Sequence, residues 1–281
     1  MVIKNMNKNE NELIMPTYFI SHGGGLWYWM NEQKPLYEKL EKSLRAMPGE
    51  IGTTPKAILV VSGHWEEDDF AVMTDPAPPM VYDYSGFPEH TYRVKYAAPG
   101  SPEVAARVLE LLSKAGFEAH ADASRGFDHG TFVPLAAAYP KANVPVLQLS
   151  IRKDYDPGLH LAVGRAIAPL RREGVLIVGS GLSYHNLRQF GPQAQVPSRE
   201  FDDWLTQTLC ESDFQARREK LKNWSKAPSA RLAHPREDHL IPLMVAVGAA
   251  EAETGARVYH EDSFFGGIAV SSYRFGDSTN V

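Results

Sequence analysis

Short aliphatic runs along the chain alternate with stretches in which apolar residues recur every three or four positions. Residues 17–21 form an apolar run that closes on His22 and on Gly23, Gly24 and Gly25, which predicts a strand opening into a glycine loop. Over 34–47, Leu36, Leu40, Leu44 and Met47 keep helical spacing, and the Pro48-Gly49 pair is expected to end that helix. The aliphatic run 57–62 lies between Pro55 and Gly63, the pattern of a strand covered on both faces, and His64 falls just past its end. Ser101 as N-cap, Pro102 at the first helical position, a face of Val104, Val108, Leu111 and Leu112, and Gly116 as the stop together define a helix.

Further on, 117–121 reads as a strand, 126–130 as a loop and 144–151 as a buried strand. A helix over 159–173 contains Pro169, which lacks the N–H its turn needs, so a kink or break is expected there before Gly174 stops it. Residues 175–178 form an aliphatic strand leading into Gly179-Ser180-Gly181 and on to His185 and Asn186. Ser198 reads as the cap of a helix whose face is Phe201, Trp204, Leu205, Thr208 and Leu209, with Cys210 packed near its end. The polar, basic stretch 207–232 reads as a surface excursion. Ile241, Leu243, Met244 and Val247 then suggest a buried helix, and strands over 256–259 and 267–273 finish the chain. Strands alternating with helices, without repeats or a linker, predict an α/β fold: one domain over 16–281, with a central, mostly parallel sheet flanked by helices. Residues 1–15, broken by Lys4, Lys8, Glu10 and Glu12, read as a solvated tail.

Composition narrows the function. With 29 Lys and Arg against 34 Asp and Glu, the net charge of −5 disfavours a role that depends on phosphate contacts, so no nucleic-acid partner is expected. The tail lacks the apolar stretch of a signal peptide, and 240–250 is about half the roughly 20 residues that a membrane span needs, so no membrane partner and a cytoplasmic, reducing location are expected. A single cysteine, Cys210, excludes an intramolecular disulfide and a multi-thiolate zinc site. Any metal must then be held by nitrogen or oxygen, which turns attention to the ten histidines.

Three of these, His22, His64 and His185, lie just beyond aliphatic strand runs, and ligands in open α/β sheets bind beyond the carboxyl ends of the strands. His129, in Gly126-Phe127-Asp128-His129-Gly130, and His239, after His234-Pro235-Arg236-Glu237-Asp238, occupy loop contexts that suit the same pocket. His90, His120, His160 and His260 lack such a context and read as structural or peripheral. His22 to Gly25 also matches the HGGG loop of esterases, but no Gly-x-Ser-x-Gly elbow accompanies it, and Gly179-Ser180-Gly181 lacks the third glycine of a dinucleotide site. Imidazole with carboxylate suits zinc, iron or copper.

Taken in order, Ser21 to Gly25, Ser62-Gly63-His64-Trp65, Tyr82-Asp83-Tyr84-Ser85-Gly86-Phe87-Pro88, Ala98-Pro99-Gly100-Ser101-Pro102, Gly126 to Gly130, Tyr184-His185-Asn186-Leu187 and His239-Leu240-Ile241-Pro242-Leu243 resemble the class III extradiol ring-cleavage dioxygenases. Within that group the chain is most similar to the 4,5-DOPA dioxygenase-like branch, over about 16–270. The resemblance implies a mononuclear non-haem site with Fe(II) as the active metal, although Zn(II) would also bind. It implies His22 and His64 as two metal ligands and His239 as the third. More distant members use a glutamate in the third place, so Glu237 is the competing candidate. His185 matches the acid/base histidine, close enough in some relatives to count as a further ligand, and His129 matches a second pocket histidine facing substrate or oxygen. The implied partners are O2 and a catechol with a polar side chain, and the implied product is a ring-opened semialdehyde. Two other readings of the same histidines are a zinc-dependent hydrolase and a non-catalytic metal-binding protein. Trp27, Tyr28 and Trp29 either wall an aromatic pocket or pack the core, and Tyr92, Arg93 and Lys95 either meet a substrate carboxylate or lie in solvent. Oligomeric state is not legible in the sequence.

Overall fold

In the computed structural model, which describes residues 14–277, eight strands form one sheet in the order β4-β3-β5-β2-β6-β1-β8-β7. Its centre is parallel: β5 (Val146–Arg152), β2 (Ala57–Glu67), β6 (Val175–Gly181) and β1 (Thr17–Ser21) run side by side. The aliphatic residues of these strands are buried whichever way they point, because helices flank the sheet and neither set of side chains reaches water. Antiparallel pairs lie toward the edges, where β3 (Phe70–Met73) meets β5, and where the hairpin of β7 (Gly255–Phe264) and β8 (Ile268–Phe275) joins β1. β4 (Ala119–Asp122) pairs parallel to β3 at the far edge.

α8 (Ile241–Ala249) lies on β1, β2 and β6 and packs against α4 (Pro157–Ile167). The two helices touch backbone to backbone, since a Cβ on Gly248 would stand 2.1 Å from the Leu161 carbonyl oxygen and one on Gly164 2.3 Å from that of Val245. α2 (Pro102–Lys114) ends as its sequence predicts: Gly116 is left-handed, its N–H reaches the Ser113 carbonyl, and the Phe117 N–H reaches that of Leu112. The break at Pro169 is present, α4 passing after Ile167 into a 3-10 turn over Ala168–Arg171.

Several local readings are corrected. α1 (Glu38–Ile51) continues through Pro48 and Gly49 and stops at left-handed Gly52, with buried Ile51 anchoring the extra turn; Leu36, in a preceding 3-10 turn, is half exposed while Tyr37 turns inward. β2 does not end at Ser62. It runs on to Glu67 across a register shift between Val61 and Glu66, so His64 lies within the strand's irregular end. The loop expected over 126–130 gives way at His129 to α3 (His129–Ala138). Ser198 is no cap: α5 (Gln195–Cys210) begins a turn earlier, and the Ser198 hydroxyl is buried, accepting from the Ala269 N–H at 2.9 Å. The expected surface excursion 207–232 is largely helical, with α6 (Phe214–Lys222) capped by Asp213 and the single-turn α7 (Ala230–Ala233), and it buries Arg217 and Trp224. Of the expected tail, residues 1–13 lie outside the described residues. Met15 is buried, its N–H donating to the Arg171 carbonyl and its carbonyl accepting from Arg171 Nε at 2.6 Å. Among the described residues no helix is long and apolar enough to cross a membrane.

Candidate active site

β1 and β6 reach their carboxyl ends together, beside the irregular stretch of β2 after Ser62, and three backbone crossings set the site there. The His22 N–H leaves β1 by donating to the Gly181 carbonyl at 3.1 Å, while Trp27 Nε1 donates to the His22 carbonyl at 2.9 Å. Gly23 turns the chain beneath that indole at φ +78°; a Cβ there would be 2.5 Å from Trp27 Nε1. The backbone of Asp238 and His239 lies directly on β2 at Gly63 and on the end of β6. A Cβ on Gly63 would come within 2.8 Å of the Asp238 carbonyl oxygen, one on Gly181 within 2.0 Å of that of His239, and the Leu182 N–H donates to the same His239 oxygen at 3.1 Å.

These crossings bring His22, His64 and His239 together, with ring centroids 5.0 Å apart for His22 and His64, 5.1 Å for His22 and His239, and 4.7 Å for His64 and His239. The Nδ1 side of each ring faces an acceptor. For His22 it is the Gly23 carbonyl at 2.7 Å, for His239 the Asp238 carboxylate at 2.8 Å, and for His64 the Asp83 carboxylate at 3.3 Å. With Nδ1 as donor, each ring turns an Nε2 lone pair inward. His64 Nε2 and His239 Nε2 then stand 3.2 Å apart, and His22 Nε2 is buried without a hydrogen-bond partner. Facing lone pairs repel, and a buried unpartnered nitrogen is costly, so the donor set fits a divalent cation bound by three imidazoles. Burial, reinforced by the neighbouring imidazoles, pushes His22 down to about 3 and holds His64 and His239 well below the usual histidine range. All three are therefore neutral, the form that binds metal.

His129 and His185 flank this trio. α3 begins at His129 because Asp128, its N-cap, is fully buried and saturated: it accepts from the Thr131 N–H at 3.0 Å, Ser62 Oγ at 2.8 Å, Gln148 Nε2 at 2.6 Å and Arg125 at 2.7 Å. The His129 ring lies 4.0 Å from that of His64, and its backbone N–H and Nδ1 both donate to one oxygen of Asp83, at 3.0 and 2.9 Å. His185 follows β6, its N–H held by the Ala233 carbonyl, and its ring stacks on His239 at 3.5 Å between centroids. Burial lowers its pKa, against the pull of the Asp238 carboxylate 4.0 Å away. All five predicted histidines thus converge.

Glu237 takes no part in the trio; its carboxylate accepts from Arg231 at 2.8 Å, and the acid beside His239 is Asp238. Asp238 and Asp83 escaped the sequence reasoning. Their signals were present: Asp238 adjoins a candidate ligand, and Asp83 is the sole acid of the aromatic segment 82–88. That segment forms one wall, Tyr84 meeting His129 edge-on at 5.9 Å and Phe87 filling the space over Gly25. Trp27 belongs to the core. Arg93 is exposed and paired with Glu89, Lys95 is exposed, and Tyr92 packs against Tyr84. His90 and His120 are exposed; His160, His234 and His260 are each bonded elsewhere.

A converging histidine trio at the strand ends of such a sheet is what the sequence resemblance calls for, and residues 16–276 match the family described as the catalytic LigB subunit of aromatic ring-opening dioxygenase. The chain belongs to this class III extradiol dioxygenase family and is an aromatic ring-opening dioxygenase. It is 41% identical over 267 residues to the 4,5-DOPA dioxygenase extradiol of Beta vulgaris, covering 93% of this chain and 97% of that one. The 4,5-DOPA dioxygenase extradiol of Escherichia coli K12 is 32% identical over 267 residues, covering 93% and 95%. The crystal structure of an uncharacterized protein from Escherichia coli K12 matches with a TM-score of 0.72 at 29% identity, covering 93% of this chain and 100% of that one.

Proposed function

We propose that the chain is a mononuclear non-haem Fe(II) enzyme of a reducing, cytoplasmic compartment that opens a catechol with a polar, DOPA-like side chain. Both atoms of O2 enter the product, a ring-opened semialdehyde. His22, His64 and His239 hold the iron, His185 is the acid/base, and His129 is a second pocket base. The observation that supports this most directly is the trio of neutral imidazoles whose Nδ1 sides are committed and whose Nε2 atoms converge. Ferrous iron supplies the redox couple through which an electron-rich catecholate can reduce O2, which zinc lacks.

The remaining chemistry belongs to the side chains. His129 donates through Nδ1 to Asp83, so its Nε2 is an acceptor able to take a catechol O–H proton. His185, kept neutral by burial, is stacked one ring away from His239 and can take the catechol's other O–H proton and return it to the ring-opening oxygen. The Tyr84 wall orients a flat substrate edge-on to His129. Protein loaded anaerobically with Fe(II) and mixed with O2 and a panel of catechols, L-DOPA included, should consume O2 one for one with catechol and yield a yellow semialdehyde. Intact catechols across the panel would refute the reading, and turnover with Zn(II) in the absence of O2 would point instead to a hydrolase.

A further inference from the structure

The two carboxylates beside the site are not equivalent. Asp238 serves His239 at 2.8 Å and lies 4.0 Å from His185, whereas Asp83 stands between two imidazoles at once, from a segment that brings no other acid to the site. One Asp83 oxygen takes two donors, the His129 backbone N–H at 3.0 Å and His129 Nδ1 at 2.9 Å; the other faces His64 Nδ1 at 3.3 Å. A carboxylate offers acceptors on both oxygens and no donor, so His129 presents Nδ1–H to it, and the same charge beside His64 favours Nδ1–H there, with the Nε2 lone pairs turned away. We propose that Asp83 is a positioning residue that sets the proton placement of two site histidines together, making His64 Nε2 a metal donor and His129 Nε2 a proton acceptor. This rests on the reading of His64 as a metal ligand.

Asparagine at this position separates positioning from mere packing. Its carbonyl oxygen must stay on His129, because the backbone N–H there can only donate. Its NH2 group would then face His64 Nδ1 and demand a lone pair, moving the His64 proton to Nε2 and blocking the metal-facing site. Asp83→Asn, though isosteric, should therefore lower Zn(II) affinity about 10- to 100-fold, the scale for lost carboxylate partners of metal-bound histidines, and at least as much as Asp83→Ala. A packing role predicts the reverse order. Zn(II) affinity is read by competition with a chromophoric chelator on the full chain, and the His129 tautomer by nitrogen-15 NMR on the metal-free protein. The wild type should show His129 as the Nδ1–H form, and Asp83→Ala should release it to a mixture. Zinc affinity within threefold of wild type in Asp83→Asn, a larger loss in Ala than in Asn, or an unchanged His129 tautomer in Asp83→Ala would overturn the proposal. A wild type that binds no zinc would remove the metal reading, and the His129 tautomer alone would then decide.

Discussion

Gly181→Ala should damage the metal site through one methyl group. In β6 a Cβ on residue 181 would stand 2.0 Å from the His239 carbonyl oxygen, where ordinary contact begins at 3.4 Å, so about 1.4 Å must be found. β6 cannot supply it, because it is paired on both sides, to β1 and β2, and its Gly181 carbonyl also holds the His22 N–H. Phe19 blocks another direction, 3.2 Å from the same Cβ. The displacement therefore falls on the segment that carries His239 and breaks the bond from the Leu182 N–H to its carbonyl. Overpacking of this kind costs about 1–3 kcal/mol, or roughly 2–10 °C in Tm for a domain this size. With His239 displaced by over 1 Å the three imidazoles no longer meet at one ion, so Zn(II) affinity should fall by about 10- to 100-fold. Thermal unfolding by circular dichroism and Zn(II) affinity by chelator competition measure the two effects, with Gly49→Ala as control: a Cβ there meets nothing within 4 Å, and in a helix Ala gains about 0.5–1 kcal/mol over Gly. Wild-type Tm and affinity in Gly181→Ala would refute the argument that β6 sets the position of His239.

Asp128→Ala removes a buried helix cap and strands Arg125, so it should cost about 3–5 kcal/mol in urea unfolding; a loss under about 1 kcal/mol would contradict the role given to Asp128 in starting α3. His160 is locked neutral, Nδ1 donating to the Asp156 carbonyl and Nε2 accepting from the Arg152 N–H, and burial lowers its pKa from 6.5 to about 4. The unfolded chain therefore takes up its proton first, and stability is lost as pH falls from about 6.5 toward 4, by roughly 3 kcal/mol from this group. In His160→Gln the slope of unfolding free energy over that interval should be shallower than in wild type, and parallel slopes would count against the assignment.

What the sequence reveals follows from how many faces each element shows to water. α2 keeps one wet face, so Val104, Val108, Leu111 and Leu112 recur with a readable period, and the glycine after them marks its end. α3 keeps none: all ten of its residues are buried, a helix without a period, and so the first turn that aims His129 reads as loop. β3 is likewise buried throughout and only four residues long. At the irregular stretch of β2 the Asp238 and His239 backbone arrives at Gly63 from far along the chain, a contact that no local pattern carries. The same limit divides the site. His22, His64 and His185 betray themselves by following short aliphatic runs, which is a local property. Asp83 gains its meaning only by reaching His129, 46 positions away. His234 shows the converse: five residues before His239 and in the same motif, it is completely buried, bonds the Ser183 carbonyl and packs edge-on against Phe201 and Trp224. Spacing ranks it beside a ligand, and only its packing against Phe201 and Trp224 separates the two.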